Sequence, residues 1–439
     1  MRRLAVGVGL LALAGCGAGS RPTTPSEAAV VAPVGWRAST MAATDRADPL
    51  WWRRFGDPAL AEVVGQALAH NDDIAVAAGR VDEARAQFRL ARSSQLPTIN
   101  VGRGGDRDRS VNAFGMGVDQ SAGQAEILAS FDLDLFGRLA KASKAARAQL
   151  LATEDARDNV RLAVAASAAT GYVMLCAYDA RLKVLRDTLA ARKVALKLTQ
   201  RRAEAGYASR LDLSQAEAEY EATAQLIPAA ELAIARQEDG LGALLGRMPG
   251  PIDRGLLDRM TLPDVPLLVP LRLIERRPDL AAAASQIVAA DHALDSARAA
   301  FLPDVQLGAS GGAVASTLLG DPISIFSIGS SILAPLLEGG RLRAQADAAA
   351  ARRDQAAFNY RRIALAAFRE VEDGLATVAR SREQEGALVR QRDALGRALG
   401  FAGNRYREGY SPYLELLDAQ RASLSAELAL VQSRADRLT

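Results

Sequence analysis

The chain of 439 residues is poor in cysteine, histidine and aromatic residues, and each shortage narrows the functions it can have. Its two cysteines, Cys16 and Cys176, are too few for a disulfide framework or a cysteine-based zinc site. The two histidines, His70 and His292, have no ligand-spaced partner, so we expect both on helix surfaces and no metal site. The sequence also lacks a phosphate-binding loop and a G-x-S-x-G turn. These absences predict that the protein is not an enzyme and binds no catalytic cofactor.

The charged residues give no sign of a nucleic-acid partner. Fifty-four Lys and Arg residues almost balance 51 Asp and Glu residues, and the two signs are interspersed along the chain. A nucleic-acid-binding surface needs a one-sided basic stripe, which is missing here. Aromatic residues make up 5% of the chain whereas alanine is abundant, a composition typical of long, closely packed helices.

One uncharged stretch, residues 162–178, approaches the length of a transmembrane helix. The corresponding stretch of the second half of the chain contains Arg369, Glu370, Glu372 and Asp373. A membrane span does not tolerate such a cluster, so we interpret both stretches as helix-packing surfaces.

The N-terminus has the pattern of a cleaved secretory signal, predicted at residues 1–15. Arg2 and Arg3 precede an apolar run, residues 4–14, that is too short to span a bilayer. The following Leu-Ala-Gly-Cys, ending at Cys16, resembles the lipobox of bacterial lipoproteins. The resemblance implies a covalent lipid on Cys16, and Gly17 in place of an inner-membrane retention aspartate favours the outer membrane. The alternative is an ordinary signal peptide with an incidental cysteine.

The chain contains a tandem repeat. Gly137 and Gly340 lie 203 residues apart, in similar surroundings, and the same offset separates Gly206 from Gly409. Constant spacing of this kind indicates an internal duplication. We therefore divide the chain into a signal peptide, a lipidated segment, repeat 1, a proline-rich linker and repeat 2, at residues 1–15, 16–50, 51–248, 249–277 and 278–439.

Each repeat has the same predicted order: a helix, two strands, a very long helix, a tight turn and a returning helix. The first helices are predicted at residues 58–94 and 278–300, and the strands at about 97–134 and 303–335. The long helices follow at residues 137–204 and 340–408, and with the returning helices they fill 137–247 and 340–439. Neither long helix contains proline, and about 68 residues at 1.5 Å each give a helix of roughly 100 Å. Glycine-rich and polar stretches at residues 102–106, 311–312 and 320–322 are predicted turns.

The predicted strands alternate in polarity. Ala125, Ile127, Ala129 and Phe131 alternate with mostly polar residues, which predicts one apolar and one polar face. Strands of this kind suit a membrane β-barrel, but four strands cannot close one, and open edges are not tolerated in lipid. We therefore expect an oligomer, with eight strands in a dimer or twelve in a trimer. The alternative is a soluble hairpin domain on a coiled coil.

Glycine and serine mark the predicted turns between the long and returning helices. Gly206 and Gly409 are expected to end the long helices in the left-handed conformation. Ser209 and Ser411 are expected to cap the returning helices, with Asp212 completing a capping box. Pro412 would then occupy the first helical position.

Several motifs together resemble the TolC-like outer-membrane factors, in particular the NodT- and OprM-type lipoproteins of tripartite efflux pumps. They are WWRRFGDPAL from Trp51, ALAHNDDI from Ala67, DLFGR from Asp134, ERRPDL from Glu275 and YREGY from Tyr406. The resemblance implies an α+β membrane protein in which a trimeric twelve-stranded β-barrel continues into an α-helical periplasmic tunnel. It also implies a passive exit duct that docks on a periplasmic adaptor fed by an inner-membrane transporter, commonly of the RND class. The alternative function is a lipid-anchored periplasmic coiled coil without a pore.

The same resemblance places the periplasmic aperture at the start of the returning helices. The matching positions are Asp212, Leu414, Glu415, Asp418 and Arg421. Three copies of each carboxylate would form acidic rings that favour cations. The alternative is ordinary surface charge near a helix N-terminus.

Two further expectations follow from the resemblance. The helix-tip turns, at Gly206, Ser209, Gly409 and Ser411, are the predicted adaptor contacts. Thirty residues follow Gly409, fewer than is usual in the family, so the C-terminal part of the equatorial region is expected to be short.

Overall fold

A computed structural model describes residues 24–33, 35–37, 48–263, 276–317 and 319–439. The predicted signal peptide and the predicted lipid site at Cys16 lie outside the described residues. The chain forms two compact units, and both repeats contribute to each. The first unit consists mainly of Ala84–Ala152 and Ala283–Ala364, and the second of Ala32–Glu83, Thr153–Ala282 and Leu365–Thr439. The boundaries expected for the repeats themselves stay a prediction.

The first unit contains a four-stranded antiparallel sheet in the order β1-β2-β3-β4. Its strands are β1 Thr98–Val111, β2 Gly117–Leu133, β3 Asp304–Ser316 and β4 Ile323–Leu333. Strands β1 and β2 come from repeat 1 and β3 and β4 from repeat 2, so the β2–β3 pairing joins the two repeats. Strands β1 and β4 form the two edges of this sheet.

The register separates the two faces of the sheet as the alternation predicts. Val101 pairs with Ile127, Ile127 with Gly311 and Gly311 with Phe326, so these residues share one face, called here the apolar face. Residues one position away form the polar face, for example the row Asn100, Leu128, Ser310 and Ser327.

Two of the three predicted turns in the sheet are wrong. Residues 102–106 lie inside β1 and residues 311–312 inside β3, whereas residues 320–322 do lie between β3 and β4. At Gly312 the glycine serves a close backbone approach, because a Cβ atom there would lie 2.2 Å from the carbonyl oxygen of Ala125. Gly312 therefore permits the pairing of β3 with β2 rather than a chain reversal.

Eight α-helices account for most of the remaining described residues. They are α1 Pro58–His70, α2 Asp72–Ser93, α3 Arg138–Glu204, α4 Arg210–Ala224, α5 Leu226–Leu244, α6 Pro278–Ala299, α7 Arg341–Glu408 and α8 Tyr413–Leu438. The long helices α3 and α7, of 67 and 68 residues, confirm the proline-free segments predicted from the sequence. Short 3-10 helices occupy Ser26–Ala28, Trp51–Phe55 and Leu257–Arg259.

Two predicted helices are each divided into two. The helix expected over residues 58–94 breaks at Asn71, whose side-chain oxygen accepts the backbone N–H of Asp73 at 3.0 Å and caps α2. Its side-chain nitrogen donates to the carbonyl of Leu244 at 2.9 Å, which anchors the break. The returning helix of repeat 1 breaks at Gln225, three residues before Pro228. Proline has no N–H for the preceding turn, so it fits only near the start of a new helix.

Residues of α3, among them Tyr172 and Cys176, pack into the main core of the second unit. Tyr172 is fully buried, and its hydroxyl donates to Asp57 Oδ2 at 2.9 Å and accepts the backbone N–H of Gly255 at 2.8 Å. Cys176 is 1% exposed, and burial raises its pKa to about 12, as expected of a packed thiol. Among the described residues, α3 is the helix with an 18-residue window apolar enough to cross a membrane, and half of that window is buried within the protein.

Candidate functional site

The long helices α3 and α7 both end within the second unit, each in a turn of the same type. Gly206 and Gly409 have φ angles of +82° and +85°, the left-handed conformation predicted for both. The N–H of Tyr207 donates to the carbonyl of Arg202 at 2.7 Å, and the N–H of Tyr410 donates to that of Arg405 at 2.8 Å. Both ends are therefore Schellman motifs, which satisfy the last carbonyls of each helix.

The two returning helices start at equivalent positions but are capped differently. Ser209 Oγ accepts the N–H of Asp212 at 3.0 Å, and Asp212 Oδ2 accepts the N–H of Ser209 at 3.1 Å, so the predicted capping box is confirmed. The prediction for Ser411 is wrong, because the N-cap of α8 is Pro412 and the buried Ser411 hydroxyl has no hydrogen-bond partner among the described residues. Pro412 lies 203 residues after Ser209, which is the repeat offset, and its carbonyl accepts the N–H of Glu415.

A buried aromatic pair lies just inside the second turn. Tyr406 and Tyr413 flank Gly409 and contact each other edge to face, with ring centroids 5.5 Å apart. The hydroxyl of Tyr406 is 2.7 Å from that of Thr199, which is fully buried on α3. Arg202 also stacks on the Tyr406 ring, at 4.8 Å from its centroid. These contacts hold the ends of α3 and α7 together next to the turns.

Arg202 has a second role at the end of α7. Its guanidinium donates to the backbone carbonyls of Tyr406 and Arg407 at 2.7 and 2.8 Å. These carbonyls lie in the last turn of α7, where the helix dipole favours a cation. One arginine of repeat 1 thus caps the long helix of repeat 2.

Glu219 on α4 holds two arginines. Its Oε2 atom lies 2.8 Å from Arg192 Nη1 in an ion pair, and its Oε1 atom accepts a hydrogen bond from Arg421 Nε at 2.8 Å. The side chains of Arg192 and Glu219 are 5% and 12% exposed, whereas that of Arg421 is 56% exposed. Burial lowers the pKa of Arg192, which Glu219 opposes, and the hydrogen bonds to Glu219 raise the pKa of Arg421. Burial also raises the pKa of the neighbouring Tyr413 to about 12, with a further contribution from the Glu219 charge.

A cavity of about 490 Å³ adjoins this ion pair. Its wall includes Arg192, Gln420 and Ser423 beside apolar residues of α3, α7 and α8. Arg192 Nε and Gln420 Oε1 are buried, and no described residue offers either of them a hydrogen-bond partner. The space between α3, α7 and α8 is therefore not close-packed next to this ion pair.

The predicted aperture residues of α8 fall on two stripes. Leu414, Asp418 and Arg421 follow the spacing i, i+4, i+7 and are exposed, while Tyr413 and Leu417 face the interior. Glu415, predicted to share a face with Asp418, is partly covered and lies 3.4 Å from Arg405 in an ion pair. Asp212 is engaged in the capping box of α4. The role of these residues in an aperture stays a prediction.

Sequence reasoning missed the buried groups of this site. Arg192, Thr199 and Glu219 lie in helical segments whose polar residues are mostly solvated, so no local pattern marks them. Tyr406 and Tyr413 could have been found, because they are aromatic residues on either side of the turn at Gly409.

Comparisons with known proteins agree on one family. The profile of the family described as Outer membrane efflux protein matches residues 63–247 and 269–439. The chain is 32% identical over 405 residues to the probable efflux pump outer membrane protein TtgC of Pseudomonas putida, covering 89% of this chain and 82% of that protein. It is 32% identical over 466 residues to the outer membrane protein OprJ of Pseudomonas aeruginosa, covering 100% and 94%. The solved structure of the outer-membrane channel OprN superposes with a TM-score of 0.88 at 28% identity, covering 96% of each chain.

Proposed function

Because the chain belongs to the outer membrane efflux protein family, we propose that it is the outer-membrane exit duct of a tripartite efflux system. It conducts solutes passively from a periplasmic adaptor and an inner-membrane transporter to the exterior. The resemblance read from the sequence motifs is confirmed by the family match. That the chain catalyses no reaction stays a prediction, supported by the channel character of the family.

The observation that carries this function is the sheet with two unlike faces. Its apolar face suits lipid and its polar face suits a water-filled lumen. The edges formed by β1 and β4 have no partner strand within the described part of the chain, and a membrane does not tolerate open edges. Three chains joined β4 to β1 give a closed barrel of about twelve strands, wide enough for an aqueous path.

Three finer features belong to the same proposal. Cys16 carries the covalent lipid that anchors the mature N-terminus. The turns at Gly206, Ser209, Gly409 and Ser411 contact the adaptor. The inner-membrane partner is a transporter of the RND class, as the family resemblance suggests.

Conductance of the purified protein in planar bilayers tests the duct. We expect discrete conductance steps, together with a threefold species in native mass spectrometry in detergent. A protein that inserts or binds without conducting would support the alternative, a lipid-anchored periplasmic coiled coil. A stable monomer that conducts would contradict the barrel of three chains.

A further inference from the structure

The outer half of β1 carries its cations and its carboxylates on opposite faces of the sheet. Arg103 and Arg107 are an even number of residues from Val101, so they belong to the apolar face. Asp106 and Asp108 belong to the polar face. All four side chains are exposed.

The register places these arginines where the apolar face ends. Arg103 lies opposite Ala125, and Arg107 lies opposite Ser121. On the same face of β2, the residues from Leu133 to Gly123 are almost all apolar or small and span about 10 residues, the length that a tilted strand needs to cross a bilayer. Arg103 therefore lies at the last residues of the lipid-facing band and Arg107 just beyond it, with their Cα atoms about 14 Å apart along the strand.

This edge is the one farther from the helices. The helices of the first unit join the sheet at Thr98, Leu133, Asp304 and Leu333, and the hairpin turns lie at the opposite ends of the strands. Because the helices of an outer-membrane efflux duct extend into the periplasm, the hairpin ends lie at the outer leaflet. Arg103 and Arg107 then lie at the depth of the outer headgroups.

We propose that Arg103 and Arg107 bind the phosphate groups of a phosphorylated lipid in the outer leaflet. Guanidinium groups bind phosphate in a bidentate manner, and a long side chain at the end of an apolar band reaches the headgroups readily. Neither arginine has a carboxylate partner among the described residues, whereas Arg109, opposite Asp119, has one at 3.8 Å. The carboxylates of β1 and Glu126 lie on the polar face, where they do not repel a lipid phosphate.

The test compares lipid binding to the assembled protein by native mass spectrometry in detergent. The probes are a bisphosphorylated lipid A, the same lipid without its phosphates, and phosphatidylethanolamine. We expect the wild-type protein to prefer the bisphosphorylated lipid, and R103Q/R107Q to bind it about 25-fold more weakly, or about fivefold per arginine. The matched control D106N/D108N changes two charges on the other face of the same strand and should keep the preference.

Salt provides a second measurement that needs no variant. Binding of the bisphosphorylated lipid should weaken as the salt concentration rises, while binding of phosphatidylethanolamine should not. A large excess of inorganic phosphate should leave the bound lipid in place. Displacement by phosphate alone would make this a site for free anions and overturn the lipid assignment.

The inference rests on the proposed barrel, and the two can fail separately. Equal binding of all three lipids by the wild-type protein, or unchanged binding by R103Q/R107Q, would overturn the lipid site and leave the duct intact. Retention of no lipid at all, together with absent conductance, would overturn the duct itself.

Discussion

Arg421 on α8 donates two hydrogen bonds to Glu219 on α4, a residue 202 positions earlier in the chain. This separation is almost the repeat offset, so the ion pair joins the two returning helices at nearly equivalent positions. Any movement that separates α8 from α4 must break it. The exposed position of Arg421 makes this the weaker of the two arginine contacts of Glu219.

Replacing Arg421 with alanine should ease the separation of α8 from α4 with little loss of stability. The pair is more than half exposed on the arginine side, so it contributes about 1 kcal/mol or less. We expect a higher conductance or open probability in planar bilayers, with a thermal unfolding midpoint close to wild type. R186A, which removes an exposed pair with Glu231 elsewhere on α3, should leave conductance unchanged. Equal conductance in R421A and wild type would exclude a gating role.

Replacing Arg192 with alanine should instead destabilise the second unit. Arg192 is 5% exposed, and its loss leaves the buried Glu219 with a single, exposed partner. Removal of one member of a buried ion pair costs about 3–5 kcal/mol. Denaturation in detergent, followed by circular dichroism, should show the loss for R192A and not for R186A. A cost below about 1 kcal/mol would show that solvent reaches this carboxylate.

The charges at the start of α8 should set cation preference unequally. Asp418 is exposed and forms no ion pair within the described part of the chain, whereas Glu415 is paired with Arg405. We therefore expect D418N to lower the cation preference more than E415Q, and the double variant to lower it most. The measurement is the reversal potential under a KCl gradient, with D436N, a distant charge change on the same helix, as control. An unchanged reversal potential in the double variant would mean that these residues face away from the lumen.

Alanine at two equivalent glycines should have opposite effects on stability. Gly171 and Gly374 occupy the same place in the two long helices, 203 residues apart. A Cβ atom at Gly171 would lie 2.8 Å from Leu241 Cδ2, whereas nothing lies within 4 Å of one at Gly374. G374A should raise the free energy of unfolding by about 0.5–1 kcal/mol, the helix-propensity difference, and G171A should lower it. The same sign for both variants would contradict the packing of α5 against α3.

Serine at Cys16 should abolish lipid attachment. Only the cysteine thiol accepts the lipid in the proposed lipobox, while the barrel still inserts through its strands. Metabolic labelling with radioactive palmitate measures the effect, and C176S, which changes the buried cysteine, is the control. Equal label in C16S and wild type would exclude the lipobox interpretation.

The sequence predicts the long-range architecture better than the details of the site. Proline-free runs and the left-handed glycines define α3 and α7 to within a residue, because the breaking of a helix is a local property. The break at Asn71 was missed because its cause, the contact with Leu244, is made 173 residues away. Gly312 carries the local signal of a turn, and its real cause, the close approach of β2, arises only in the folded sheet.

In the candidate site, too, local features could be predicted from the sequence, whereas contacts between distant residues could not. The capping box of Ser209 and Asp212 lies within four residues and could be predicted. The two arginines on Glu219 come from different repeats, and their meeting depends on the packing of three helices. Ser411 is not a cap because it corresponds to Ala208 of repeat 1: the N-caps Ser209 and Pro412 are 203 residues apart, which is the repeat offset.

The single β2–β3 pairing has a genetic consequence. Since it joins both repeats into one sheet, each chain offers only one β1 edge and one unlike β4 edge, and a ring of chains can close only if every junction is sound. A chain whose β4 edge cannot pair would therefore prevent the closure of every ring that contains it. When such a chain is co-produced with the wild type in equal amounts, about one trimer in eight contains only wild-type chains, so the defective allele is dominant.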